Sequence, residues 1–226
     1  MLDVRNISRS FGEIRALADI SIRLRQGEVT LFVGPNGSGK STLLKVIAGV
    51  IPPDSGTVSF GTGAPFIGYM PQDDAVYPDL TVLQNLRFFS DLNPKAEGGD
   101  GFEGMLSRLK LYDKRNALAS ELSGGLRRAL SLACTLAADP DIVVLDEPTT
   151  GFDYTLEQYF WELLSEAKEG GKTVLMSSHS PSVLSRVDRV VALKDGRLLG
   201  DAPVEEISAE TIEEAVIYLS GTEAGV

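Results

Sequence analysis

Apolar and polar residues alternate along 2–7 (LDVRNI) and 20–24 (ISIRL), the period of two that a half-buried strand imposes. Gly12 and Gly27 punctuate these segments, and the alternation predicts an antiparallel arrangement. A continuous apolar run, 29–33 (VTLFV), reads instead as a strand buried on both faces. A glycine-rich turn follows it, and the apolar residues of 41–50 (STLLKVIAGV) suit a buried helix. Residues 51–56 form a turn, and 57–60 and 67–70 read as strands. From Pro71 to Pro140 helical periodicity dominates. Helices are predicted from Thr81, an N-cap residue, through Leu92, over about 102–111, and from Ser123 through Ala138. Residues 93–101 form a polar loop between the first two. Alternation of strand and helix then resumes. It gives strand 142–146 (IVVLD), helix 155–168, strand 173–177, a short helix near 181–186, and strands 189–193 and 197–200 across the turn Lys194-Asp195-Gly196.

This order predicts an α/β fold: a mainly parallel sheet, an N-terminal antiparallel β-subdomain and an inserted helical subdomain at about 73–140. The 226 residues are expected to form a single domain, closed by an acidic helix at about 203–226. No internal repeat is visible, so one binding unit per chain is expected.

Composition narrows the chemistry. The net charge of −11 argues against a nucleic-acid partner held by electrostatics, and residues 201–226 hold seven acids with no Lys or Arg. No run approaches the ~18 apolar residues of a membrane span, and the N-terminus lacks an apolar signal region, so a cytoplasmic location is expected. The single cysteine, Cys134, lies in the apolar run ALSLACTLAA and reads as a small core residue. The single histidine, His179, excludes a multi-histidine metal site.

The turn after 29–33 fits G-x-x-x-x-G-K-[ST] without mismatch: Gly34-Pro35-Asn36-Gly37-Ser38-Gly39-Lys40-Ser41, followed by Thr42. Glycines let the backbone wrap a phosphate and aim several N–H groups inward, and the helix that follows adds its positive end. Lys40 supplies a full charge to the β- and γ-phosphates, and the Ser41 hydroxyl suits Mg²⁺. The pattern follows a buried strand and opens a helix, the context it requires. The strand 142–146 ends in Asp146 and is followed by Glu147. Successive strand residues point to opposite faces, so the two acids take different tasks: one supports Mg²⁺, the other orients or deprotonates water. Ser123-Gly124-Gly125 precedes a helical run, which makes an anion site or an ordinary N-cap.

The order of these motifs resembles the ATPase subunit of ATP-binding-cassette (ABC) transporters over about 2–207, with a P-loop NTPase core. By that resemblance GPNGSGKST (34–42) is Walker A and IVVLDE (142–147) is Walker B. Gln72 in GYMPQ is the Q-loop glutamine, ELSGGLRRAL is the signature, Asp153 in TTGFD is the D-loop aspartate and His179 in SSHS is the switch histidine. Phe11 stands where the family stacks an aromatic on adenine, although composition alone reads it as a core residue. The signature has Leu126 in place of the common Gln, and the D-loop has Phe152 in place of Leu.

The resemblance implies ATP and Mg²⁺, with Ser41, Gln72 and Asp146 toward the metal. Glu147 is the general base, His179 contacts the γ-phosphate, and Ser123, Gly124 and Gly125 act in trans on the ATP of a second, head-to-tail ATPase subunit. The chain would then work at the cytoplasmic face of the membrane, driving a separate transmembrane permease. Segments such as LTVLQNLRFFSDL look most like exporter-type systems with separate ATPase and membrane chains. The segment 73–90, with Tyr77, Leu80, Phe88 and Phe89, is the expected docking surface. For Phe88 and Phe89, packing within the helical subdomain is the competing expectation. A soluble cassette ATPase serving another assembly, such as iron–sulfur cluster biogenesis, is the alternative function.

Overall fold

The computed structural model describes residues 1–61, 63–96 and 102–221. In chain order its elements are β1 (Leu2–Phe11), β2 (Ile14–Leu24), β3 (Val29–Val33), α1 (Lys40–Ile47), β4 (Ser55–Phe60), β5 (Ile67–Met70), α2 (Val82–Ser90), α3 (Glu103–Arg108), α4 (Gly124–Ala137), β6 (Ile142–Asp146), α5 (Tyr154–Glu169), β7 (Thr173–Ser177), β8 (Arg189–Lys194), β9 (Arg197–Pro203) and α6 (Ile212–Leu219). Short 3-10 turns include Pro181–Arg186. The chain divides into two compact units, residues 1–65 with those from 173 onward, and residues 66–172.

In the first unit β1 pairs antiparallel with β2 and with β4. A second layer sets β3 parallel to both β7 and β8, and β9 returns antiparallel beside β8. All five residues of β3 and of β7 are buried, as expected of strands covered on both faces. The β8–β9 hairpin turns at Asp195 and Gly196, with φ of 50° and 72°. Two consecutive left-handed residues match the twist of the flanking strands, which is why Asp-Gly sits there.

β1 and β2 run longer than their alternation indicated, and the reason is local. Asn6 and Asp19 adopt φ of 51° and 59°, and the β1–β2 register shifts between Val4 and Ile7 and again up to Ser10. Asn6 Nδ2 donates to Asp19 Oδ1 (2.8 Å), Asn6 N to Ser21 Oγ (2.9 Å) and Asp19 N to Ser8 Oγ (3.0 Å). These bulges break the period of two, so the pattern stops at Ile7 on one strand and restarts at Ile20 on the other.

In the second unit β5 and β6 form a parallel pair, Ile67↔Ile142 to Met70↔Leu145; α4 packs on β5, α2 on α4 and α3 on α5. Thr81 caps α2 in a capping box with Gln84. The helix expected over 102–111 is shorter. Lys110 has φ 58°, Leu111 N donates to the Leu106 carbonyl and Lys110 N to that of Ser107. That is a Schellman ending with lysine where glycine is usual, invisible to a reading that looks for glycine. The helix expected from 41 ends at Ile47, before Gly49 with φ 72°. The C-terminal helix α6 is capped by Thr211 and Glu214. Residues 97–101 of the polar loop and the last five of the acidic segment lie outside the described residues. Cys134 is 1% exposed, and burial pushes its thiol up, so it is an inert core residue.

Candidate functional site: a phosphate loop and a carboxylate strand end

The first unit positions the phosphate loop. It leaves the C-terminal end of β3, and α1 begins at Lys40. Gly34 has φ 143°, and a Cβ there would lie 2.0 Å from the Leu193 carbonyl oxygen and 2.9 Å from Ser38 Oγ. Gly39 has φ 103°, and its Cβ would meet the Ala16 carbonyl oxygen at 2.7 Å. Both positions therefore exclude any side chain, for conformation and for space. The loop is pinned from outside: Gly196 N donates to the Ser38 carbonyl (3.1 Å) and Ala18 N to that of Gly196 (2.8 Å). Ser38 is 1% exposed, and its Oγ has no hydrogen-bond partner among the described residues. Pro35, Asn36 and Gly37 form the exposed tip.

Lys40 is buried, and its Nζ donates to the carbonyls of Gly34 (2.8 Å) and Pro35 (3.2 Å). The ammonium is thus held across its own loop. Gly39, the N-cap of α1, offers no side-chain cap, and the first turn has no acid. The helix start therefore presents its N–H groups and positive end to an incoming anion. Ser41 and Thr42, half-buried, follow on the first turn.

His179 lies in the same unit, exposed, two residues beyond β7. The parallel β3–β7 pairing ends at Phe32↔Ser177. Gly34 and His179 therefore each stand two residues past the last paired position, at the carboxyl ends of neighbouring parallel strands, where α/β folds bind ligands. Phe11 is 48% exposed at the β1–β2 turn, with the Arg9 guanidinium 5.0 Å from its ring centre. That exposure removes the core reading of this aromatic.

The second unit repeats this arrangement with different chemistry. The β5–β6 pairing ends at Met70↔Leu145, and Gln72 and Glu147 are each two residues farther on. Gln72 is exposed, Asp146 is 1% exposed at the end of β6, and Glu147 is half-buried with φ 51°. Ser123 caps α4 in extended conformation, but its side chain makes no capping hydrogen bond. Gly124 and Gly125 differ sharply. A Cβ on Gly124 would find only the Arg127 guanidinium at 4.0 Å, whereas one on Gly125 would lie 2.7 Å from the Gly151 carbonyl oxygen. Gly125 thus lets the signature turn lie against the TTGFD segment.

Asp153 caps α5, accepting from Leu156 N (2.8 Å), and pairs with Lys110 Nζ (2.9 Å). The hydrogen bond from Lys110, then that from the helix N-terminus, holds its carboxyl below the usual range. Phe152, the departure in the D-loop, faces Phe160 at 6.3 Å between ring centres, and Phe160 packs on Trp161 at 5.0 Å.

Sequence reasoning missed Arg128. It is 4% exposed on α4, and its two terminal nitrogens each donate twice. Nη1 reaches the carbonyls of Pro71 (2.6 Å) and Gln72 (2.8 Å), and Nη2 those of Asp146 (2.6 Å) and Glu147 (2.8 Å). No spacing rule announces a side chain whose partners are all carbonyls. Its neighbour Arg127 pairs with Asp74 (3.1 Å) and donates to the Leu122 carbonyl (2.5 Å).

The ABC transporter family matches residues 17–150. The chain is 36% identical over 222 residues to Nod factor export ATP-binding protein I of Burkholderia lata, covering 92% of this chain and 73% of that one. It is 31% identical over 240 residues to the probable multidrug ABC transporter ATP-binding protein YbhF of Escherichia coli, covering 97% of this chain and 41% of that one. Among solved structures it superposes on MJ0796, a dimeric bacterial ABC transporter cassette, with TM-score 0.79 and 28% identity over 90% of this chain and 99% of that one. That cassette is also known in a post-hydrolysis state bound to ADP and Pi. The P-loop α/β fold is that of this group, and the chain belongs to the ABC transporter family as an ATP-hydrolysing cassette.

Proposed function

We propose that the chain hydrolyses Mg-ATP in a head-to-tail pair of cassettes and drives solute export by a separate membrane-spanning subunit. The observation that supports pairing most strongly is Ser123: an exposed hydroxyl at a helix start, beside two glycines, that caps nothing in its own helix. An anion-binding turn of this kind fits the phosphates of an ATP held by another copy or a similar chain. MJ0796 is a dimer, and relatives named for export support the direction of transport.

The chemistry follows from the residues. Lys40 and the backbone N–H groups of 34–42 hold the phosphates, and Phe11 offers its exposed face to the base. In this reading Ser41, Gln72 and Asp146 each offer an oxygen toward Mg²⁺, and hard oxygen donors suit that ion. When bound, Mg²⁺ neutralises phosphate charge during transfer. Glu147 accepts a proton from water as the water oxygen attacks the γ-phosphorus. The bond from that phosphorus to the bridging oxygen breaks, and ADP and phosphate leave. His179 contacts the γ-phosphate. Asp153 holds the D-loop through the start of α5.

Among the described residues no helix is long and apolar enough to cross a membrane, so the membrane-spanning work falls to another chain in this reading. Residues 73–90 are the docking segment we favour. Tyr77 and Phe88, 47% and 40% exposed, stack edge-to-face at 4.7 Å, and Phe89 completes the cluster half-buried. Buried Asn85 staples the loop before α2: its Oδ1 accepts from Tyr77 N, and its Nδ2 donates to the carbonyls of Tyr77, Leu80 and Thr81. An apolar knob on a rigid loop suits a partner groove.

Light scattering of the Glu147→Gln protein tests pairing. ATP and Mg²⁺ should double the mass, and Ser123→Arg should block this while sparing ATP binding. A strict monomer at saturating ATP contradicts self-pairing. Tyr77→Ser with Leu80→Ser removes roughly 3–5 kcal/mol of partner contact, so the variant should keep ATPase activity and lose co-purification with the membrane chain. Unchanged co-purification refutes the docking assignment.

A further inference from the structure

We propose that Arg128 is a positioning residue for hydrolysis, locking the backbone of Glu147 to that of Gln72 so that the base is aimed only while the glutamine loop is in place. The inference rests on the reading of Glu147 as general base.

The geometry is specific. Gln72 and Glu147 stand at equivalent places past two paired parallel strands, and the guanidinium lies across both turns. Its four terminal N–H groups meet four carbonyls, two from each turn, at 2.6–2.8 Å. A planar fork with donors on two nitrogens can span two chain segments in this way, and an ammonium, with three donors on one atom, cannot. Glu147 needs such a hold. Its φ of 51° is the left-handed conformation that a side-chain-bearing residue rarely adopts, and it persists only where the surroundings impose it. The bonds to the Asp146 and Glu147 carbonyls hold the peptides on both sides of that residue, and hence the direction of the Cα–Cβ bond that carries its carboxylate.

The same helix grips the glutamine segment a second time. Arg127 on α4 pairs with Asp74, two residues beyond Gln72. Movement of the 72–74 segment would therefore pull on α4 through one arginine and on Glu147 through the next. Nothing in the hydrolysis chemistry requires a cation here, since all four partners are uncharged carbonyls. Burial lowers the readiness of the guanidinium to stay charged, with Asp74, Asp146 and Glu147 opposing that effect.

The test compares wild type, Arg128→Lys, Glu147→Gln and the double variant, each assayed below its own melting temperature. Steady-state ATPase, single-turnover hydrolysis and ATP affinity are measured. Arg128→Lys should lower kcat at least tenfold while ATP affinity changes less than threefold. In the Glu147→Gln background it should lower single-turnover hydrolysis no further, because groups that act as a unit are non-additive. A kcat within twofold of wild type overturns the proposal. So does a loss of affinity in step with kcat, or an equal fractional loss in both backgrounds, which would show an effect on the fold or on another group. If wild type and Glu147→Gln hydrolyse ATP equally, the base assignment itself fails, and that outcome is separate from the others.

Discussion

Placing the same methyl group on two adjacent glycines should have opposite consequences. At Gly124, in the first turn of α4, the added Cβ meets only the flexible Arg127 guanidinium at 4.0 Å. Removing glycine's freedom in the unfolded chain then stabilises by about 0.4–1 kcal/mol. At Gly125 the same gain is opposed by a Cβ 2.7 Å from the Gly151 carbonyl oxygen, a backbone atom that moves only with its loop. Overpacking of this kind costs typically about 1–3 kcal/mol. Gly125→Ala should therefore be less stable than Gly124→Ala by about 1–3 kcal/mol, the propensity gain cancelling in the comparison. For a chain this long, 1 kcal/mol corresponds to about 2–4 °C in Tm, so the two variants should differ by about 2–12 °C. Differential scanning calorimetry of both proteins without nucleotide is sufficient. Equal melting temperatures, or a more stable Gly125→Ala, would refute the close approach of α4 to Gly151.

Three further outcomes are expected. Asp153 titrates below its ordinary value of 3.8 in the folded chain because of Lys110 and the α5 N-terminus, so its stabilisation is complete above pH 3.8 and disappears as pH falls through the lower folded value. Lys110→Met should flatten stability against pH in that acid window and leave the slope above pH 5 unchanged, as urea titrations between pH 2 and pH 6 will show. The Tyr69 hydroxyl is buried with no hydrogen-bond partner among the described residues, and burial with the nearby Asp146 charge keeps it protonated. Tyr69→Phe should then be neutral or stabilising by up to about 1 kcal/mol, and a loss above 1 kcal/mol would reveal a partner. Thr81→Ala removes the α2 capping box and should cost about 1 kcal/mol in chemical denaturation.

Much of the candidate site is legible because its motifs are local in sequence. The phosphate loop needs consecutive residues with fixed conformations, so its pattern is contiguous, and the structure adds why Gly34 and Gly39 have no alternative. The strands 142–146 and 173–177 are readable as apolar runs and the start of α2 is readable from Thr81, while the capping box with Gln84 comes from the structure. The unreadable parts depend on contacts distant in sequence or on residues in unusual conformations. Bulges at Asn6 and Asp19 erased the alternation of β1 and β2. Lys110 ends α3 in a conformation that glycine usually supplies, and it pairs with Asp153, 43 positions away. Nothing in the run GLRRAL marks Arg128 as buried, and only folding brings four carbonyls around it.

The most direct test of the account is phosphate release from ATP by purified wild type, Lys40→Ala and Glu147→Gln, with nucleotide binding measured alongside. Wild type should hydrolyse ATP, and only with Mg²⁺ present. Lys40→Ala should lose binding, because the cation that spans the loop is gone. Glu147→Gln should bind ATP as wild type does and nearly cease turnover, because an amide cannot accept the proton of the attacking water. Hydrolysis by Glu147→Gln at the wild-type rate would contradict the assignment of the base, and undiminished ATP binding by Lys40→Ala would contradict the phosphate site itself.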